Sequence, residues 1–236
     1  VGAGGAPTAS LLAVPSTDPD ADWPMLLAQA ARTAVEGGRG AVIVVPDHRD
    51  VVRVEAALTR SLGPGRHTRL TADQGPQARY TAYLKALRGH AQVVVGTRAA
   101  AFAPVRDLGL VAWWDDGDDL YAEPRAPYPH AREVLLLRAT AASSAALIGG
   151  YARTAEGQSL VESGWCSELA AEQTARRTAW PRLEVTDGST AGSAPARLPH
   201  AVFRAVRATN GAVLMQVPRR GYRESLSCQD CRQPAR

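Results

Sequence analysis

One lysine, Lys85, occurs in 236 residues; the other 26 of the 27 basic side chains are arginine. A glycine-rich turn of the form G-x-x-x-x-G-K-[ST] uses its lysine to reach the β- and γ-phosphates of a nucleotide. No such turn exists in this chain. Long apolar runs are also missing. The longest candidates, Val42–Val45 and Val93–Val95, are strand-sized, whereas a membrane span needs roughly 20 residues. Val1–Ala6 has neither the basic segment nor the apolar run of a secretory leader, so a soluble intracellular protein is expected. The first residue is not Met and the chain stops five residues after Cys231, which suggests a piece of a longer protein. Cysteines number only three.

What is present is an ordinary core-forming composition, 45% hydrophobic, with its charge unevenly placed. From Arg197 to Arg236 eight arginines stand against Glu224 and Asp230, a local charge of +6. The whole chain carries +4, so the preceding residues sum to −2. A basic block on a near-neutral body suits a polyanion-binding edge, although a genome biased towards Arg and Ala gives the same count.

Hydrophobic periodicity predicts the elements. Asp22 caps a helix over Trp23–Glu36, with Pro24 in its first turn and Gly37-Gly38 ending it. Ala41–Val45 is a buried strand, and Asp47 or Asp50 caps a helix to Leu62. His67–Leu70, Gln92–Val95, Leu108–Trp114 and Ala145–Ile148 read as strands, Pro76–Leu87 and His130–Thr140 as helices. Val1–Ser10 reads as loose. Fully apolar strands between amphipathic helices predict an α/β fold: a parallel sheet covered by helices on both faces. Ligands of such sheets bind in the turns after the strands, here Pro46–Asp50, Gly96–Ala100, Asp115–Asp119 and Gly149–Glu156. The expected organisation is a lobe over 1–166, a linker over 167–196, and the start of a second α/β lobe over 197–236. That second lobe would hold a helix at Leu198–Arg207 and a strand at Ala212–Val217.

Several groups in these turns carry candidate chemistry. Asp115, Asp116, Asp118 and Asp119 form an acidic cluster that is either a metal site or a solvated turn. Gly96-Thr97-Arg98 ends a strand, where the Thr97 hydroxyl and Arg98 either meet phosphates or make an ordinary turn. Tyr128 and Arg132 suit base stacking and phosphate pairing. His130 reads as a helix cap. Arg219, Arg220 and Tyr222 combine cations, a glycine turn and an aromatic ring, as in backbone binding, or else form a solvated strand edge. Cys228-x-x-Cys231 has the spacing of half a zinc site, which needs four ligands, and Cys166 reads as a lone buried thiol.

In order along the chain, Val44-Val45-Pro46-Asp47, Leu84-Lys85-Ala86-Leu87, Gly96-Thr97-Arg98 with Phe102 and Pro104, Arg219-Arg220-Gly221-Tyr222 and Cys228-x-x-Cys231 resemble the PriA family of superfamily 2 replication-restart helicases. The resemblance covers nearly the whole chain and implies a RecA-like helicase lobe with the start of a second. It also implies contact with forked or single-stranded DNA through the residues named above, zinc at Cys228 and Cys231 in a longer protein, and replication-restart and primosome proteins as partners. The setting would be the cytoplasm, at the nucleoid, with no membrane involved.

Three departures qualify it. The phosphate-loop position, Ala13–Asp22, has no glycine or lysine but contains Asp18, Asp20 and Asp22. The family's Asp-Glu-Glu-His, which holds magnesium, aligns with Trp114-Asp115-Asp116-Gly117, so Trp114 takes the place of the metal-holding aspartate. The family's coupling motif Gly-Ser-Ala-Thr-Pro aligns with Gly149-Gly150-Tyr151-Ala152-Arg153. Asp115 and Asp116 therefore mark a degenerate nucleotide site, and the pattern is similar to degenerate actinobacterial PriA-like proteins. The expectation is DNA binding and recruitment without use of ATP and magnesium. Rival expectations are an active ATP-dependent 3'-5' helicase with an atypical nucleotide site, a nuclease using the Asp115–Asp119 cluster, or a structural domain that never touches nucleic acid.

Overall fold

The computed structural model describes residues 5–125, 127–181, 183, 200–215 and 231. Its centre is a seven-stranded sheet: β1 (Thr8–Leu12), β2 (Gly40–Val44), β3 (His67–Leu70), β4 (Val93–Gly96), β5 (Leu108–Trp114), β6 (Ala145–Gly150) and β7 (Ser167–Ala170). The strand order is β3-β4-β2-β5-β6-β1-β7, and every neighbouring pair is parallel. Helices α1 (Trp23–Glu36), α2 (His48–Leu62), α3 (Pro76–Leu87), α4 (Ala131–Ala141), α5 (Ala155–Glu162) and α6 (Gln173–Ala179) belong to the same compact unit, Val1–Pro181.

Side-chain alternation in the strands builds two cores. Ala41, Ile43, Val93, Val95, Leu110, Ala112 and Trp114 face α1 and α2. Val42, Val44, Val94, Val111, Trp113, Ala146 and Ile148 face α3 and α4. Both sets are buried, so the central strands are apolar throughout rather than alternating. Each fully buried Val or Leu stabilises by roughly 1.5–3 kcal/mol.

Most sequence-based bounds agree within two residues, including Trp23–Glu36, His67–Leu70 and Pro76–Leu87, and Asp22 does cap α1. Three readings are corrected. Thr8–Ser10, the end of the stretch read as loose, instead opens β1, which is inserted between β6 and β7. The segment from Ser167 is not linker at its outset, because Ser167–Ala170 forms the edge strand β7 on β1. Residues 212–215 of the expected Ala212–Val217 strand are irregular, and the remainder lies outside the described residues. In the second compact unit, Arg182–Arg236, α7 (His200–Ala208) corresponds to the helix expected at Leu198–Arg207.

Candidate functional site

A parallel sheet gathers every strand-to-helix turn on one edge, and five of these turns meet at the carboxyl ends of β1, β2, β4, β5 and β6. The turn from β1 into α1 occupies the position of a phosphate loop. Phosphate binding there relies on free backbone N–H groups in the first helical turn. Here those donors are consumed. The N–H of Trp23 donates to Asp22 Oδ1 at 2.8 Å, Pro24 has none, and the N–H groups of Met25 and Leu26 donate to the Asp22 carbonyl at 3.0 and 3.3 Å. Further back, Asp18 N–H donates to Ser16 Oγ, Asp20 N–H to Asp18 Oδ1, and Ala21 N–H to the Asp18 carbonyl. Arg60 Nη2 ties the Pro19 carbonyl at 3.0 Å and Arg53 Nη2 ties Asp22 Oδ2 at 2.8 Å. The turn is closed on itself and lined with carboxylates.

The space beside it is filled by rings. Trp23, 1% exposed, stacks on Trp114, 4% exposed, with centroids 4.3 Å apart and planes 7° from parallel. Tyr151 meets the Trp114 ring edge-on at 5.0 Å, and Trp180 meets Tyr151 edge-on at 5.9 Å. The Arg53 guanidinium lies over the Trp23 ring at 4.9 Å. Both arrangements are favourable for ring quadrupoles. Gly149 makes the packing possible, since a Cβ there would come within 2.9 Å of Trp114 Cε3. Trp114 stands where the resemblance put the metal-holding aspartate, Trp23 starts the helix after the phosphate-loop position, and Tyr151 follows β6 in the coupling motif. These departures, far apart in sequence, form one contiguous contact set. A nucleotide triphosphate with magnesium does not fit the residues present.

The acidic turn after β5 divides its carboxylates. Asp116 points inward. It accepts from Trp113 Nε1 at 2.7 Å, Arg132 Nη1 at 2.8 Å and Thr154 Oγ1 at 2.6 Å. Asp118 accepts from Leu120 N–H at 2.8 Å and starts the short 3-10 turn Asp119–Tyr121. The Tyr121 hydroxyl donates against the carbonyls of Val44 and Trp114, and burial pushes its pKa well up. Asp115 adopts a left-handed φ of 57°. Its partial burial and the neighbouring Asp118 and Asp116 carboxylates raise its pKa. Among the described residues no group of three or more His, Cys, Asp or Glu is placed to hold a metal ion.

The expected DNA contacts are dispersed. Arg98 sits in the 3-10 turn Arg98–Phe102 that Thr97 begins, and it holds the acidic turn in place. Its Nη1 donates to the Leu120 and Ala122 carbonyls at 2.9 and 2.7 Å, and its Nη2 pairs with Glu123 at 2.8 Å. Thr97 is half-buried, and its carbonyl accepts from Ala100 N–H at 2.7 Å. Arg132, from which a phosphate contact was expected, has a side chain 11% exposed that faces Asp116, Glu133 and Glu156. Tyr128 stands out at 65% exposed. His130 is the N-cap of α4, Nδ1 accepting from Arg132 N–H at 3.1 Å, as its structural reading required. Arg219, Arg220, Tyr222 and Cys228 lie outside the described residues, and Cys231 is exposed. Two cysteines are too few for a tetrahedral zinc site, so zinc would need further donors. Cys166 is buried.

Sequence reasoning missed Trp23, Arg53, Tyr151, Trp180 and Arg153. Arg153 ties β1, α5 and β7 together through Ser10 Oγ at 3.0 Å, Gln158 Oε1 at 2.7 Å and Glu168 Oε2 at 2.7 Å. The available signal was coincidence: aromatic rings at two of the three degenerate positions and another, Trp23, at the start of the helix after the third.

An all-parallel sheet in this order, with its binding turns on the carboxyl edge, is the architecture of a RecA-like α/β lobe. The chain is 48% identical over 227 residues to the probable replication restart protein PriA of Mycobacterium leprae, covering 92% of this chain and 35% of that protein. It is 49% identical over 223 residues to the probable replication restart protein PriA of Mycobacterium tuberculosis, covering 91% and 34%. The chain is a homologue of the PriA replication restart proteins, and it spans about a third of the length of the curated relatives it matches. No protein-family model matches it. Among solved structures, RecG bound to a three-way DNA junction is 13% identical, covering 72% of this chain and 21% of that one, with a TM-score of 0.46. No described helix is long and apolar enough to cross a membrane.

Proposed function

We propose that this chain is the helicase-type lobe of a replication-restart protein that binds forked or single-stranded DNA and recruits replication-restart and primosome proteins without ATP turnover. The observation that carries the reading is the closed first turn of α1, whose donors go to Asp22 while Trp23 and Trp114 fill the adjoining space. Without free N–H groups or a lysine, charge on a terminal phosphate has no preorganised partner. A lobe of this kind acts by holding DNA and partners in place. Zinc at Cys228 and Cys231 belongs to the same reading, the remaining ligands coming from outside this chain, and so does a cytoplasmic location at the nucleoid.

The test is nucleotide hydrolysis by purified protein with and without forked DNA. Background rates in both conditions are expected. DNA-stimulated hydrolysis would overturn the scaffold reading in favour of an active 3'-5' helicase with an unusual nucleotide site.

A further inference from the structure

The carboxyl edge is a poor place for a polyanion. Asp18, Asp20, Asp47, Asp50, Asp115, Asp118 and Asp119 line its turns, while Arg53, Arg98 and Arg132 are already paired to carboxylates. The opposite charge balance lies on α3 and the segment leading from it to β5. From Gln74 to Arg106 there is no Asp or Glu, whereas Arg79, Lys85, Arg88, Arg98 and Arg106 supply five cations. Arg98 is held by Glu123, and the ion pairs among the described residues include none of the other four. An ordinary solvated helix face interleaves charges of both signs; this one does not.

The helix also presents rings. Only Ala82 and Ala86 of α3 are buried, so most of its circumference faces solvent. Tyr80 is 64% exposed and Tyr83 40%, and their i, i+3 spacing puts them on one flank. On the other flank Gln77, Thr81 and Lys85 line an open groove of about 410 Å³. Past the helix end Arg106 packs against Gly89, its Cδ 3.1 Å from where a Cβ would stand, so its guanidinium adjoins the Arg88 turn. Cations at a helix C-terminus are favoured by its dipole. Twelve residues of helix extend about 18 Å, enough to follow several nucleotides.

We infer that α3, with Arg106, is a nucleic-acid contact surface: Arg79, Lys85, Arg88 and Arg106 meet the phosphates of a strand, and unpaired bases stack on Tyr80 and Tyr83. Backbone cations beside exposed rings are the combination that binds single strands without sequence preference. The inference rests on the DNA-binding reading above and moves the contact away from the strand-end turns.

Anisotropy titrations of the full chain with an oligo-dT strand, a blunt duplex and a fork at two or more salt concentrations test it. Lys85→Glu/Arg88→Glu/Arg106→Glu should weaken all three by at least about tenfold and lower the salt slope by about 2, at roughly 0.7 to 0.9 per lost phosphate contact. Tyr80→Ala/Tyr83→Ala should weaken oligo-dT by about tenfold per ring and leave the duplex nearly unchanged. Should the charge-swapped protein fail to fold, Lys85→Gln/Arg88→Gln/Arg106→Gln gives the same readout with smaller loss. Arg49→Glu, exposed on the carboxyl edge, is the control and should change little. Wild-type binding that survives the α3 substitutions, or that Arg49→Glu weakens equally, overturns the surface alone. Wild-type protein with no salt-dependent binding to any of the three overturns the DNA-binding reading and the surface with it.

Discussion

Trp114→Ala is the perturbation that most directly probes the filled cradle. The side chain is buried between β5 and α1, face to face with Trp23 and touched on its edge by Tyr151. Truncating a buried tryptophan costs about 3–5 kcal/mol through lost transfer energy and the cavity left behind. Part of that, about 0.5–1.5 kcal/mol, is the stacking itself. A domain of ordinary stability, about 5–15 kcal/mol, would lose from about a fifth of it to nearly all. Trp114→Phe keeps a ring and should cost far less. Trp114→Asp, which restores the family carboxylate, should be the worst of the three, because it places an anion beside Asp115 and Asp116 with no cation or metal opposite. Urea unfolding followed by far-UV circular dichroism gives the three values, and near-UV dichroism reports loss of the Trp–Trp stack. A cost below about 1 kcal/mol for Trp114→Ala, or nucleotide binding gained by Trp114→Asp, would refute the claim that rings have taken over this space.

Asp116→Ala should destabilise by about 3 kcal/mol, since it takes the nearest carboxylate from the buried Arg132 guanidinium and removes the acceptor of Trp113 and Thr154; urea unfolding measures it, and no loss would mean the network is dispensable. Burial, reinforced by Arg132, lowers the pKa of His130, and burial also lowers that of His67. The unfolded chain therefore binds more protons just below pH 6.5, so stability is present above that value and falls as pH drops towards the lowered folded pKa. Protonation also removes the Nδ1 acceptor that caps α4, and His130→Asn, which keeps a cap, should flatten the melting temperature between pH 7 and 5. An unchanged slope in that variant would remove His130 from the account. The raised pKa of Asp50, from burial and then Asp47, works in the opposite sense near pH 4: the folded state holds that proton more tightly, so acidification through this range gains stability from it.

The fold was largely legible because its information is local. β2, β4 and β5 are apolar on both faces, Asp22 and Asp47 announce helices by capping them, and Gly63 ends α2. β1 escaped because five residues with Thr and Ser, preceded by a Gly/Ala stretch, carry little pattern; only pairing between β6 and β7 makes them a strand. β7 escaped because an edge strand need not bury its side chains, and Ser167–Leu169 are exposed. The site was legible as a set of losses and illegible as a replacement. Missing glycine and lysine can be read off Ala13–Asp22 directly. That Trp23 lies flat on Trp114, some ninety positions later, depends on β5 lying two strands from β1 across β6, which no local window contains. The Arg132–Asp116 pair was hidden for the same reason, Asp116 being placed by the turn after β5.

The ring contacts also change how the three altered motifs relate to each other. Taken separately, a missing lysine, a missing metal ligand and an altered coupling motif are independent injuries to one machine. In the structure Trp23, Trp114 and Tyr151 touch, Gly149 leaves room for the middle ring, and Arg53 closes the top while also holding Asp22. Residues in contact through a shared cavity are energetically coupled, typically by about 0.5–3 kcal/mol. Reverting one position therefore does not move the lobe part of the way towards a working nucleotide site; it opens a hole that the other rings cannot fill. A double-mutant cycle on Trp23→Ala and Trp114→Ala reads this directly. Coupling means that the pair costs less than the sum of the singles, because the second truncation removes a ring that has already lost its partner. Strict additivity, within about 0.3 kcal/mol, would mean that the rings fill separate spaces and that the departures arose as unrelated substitutions.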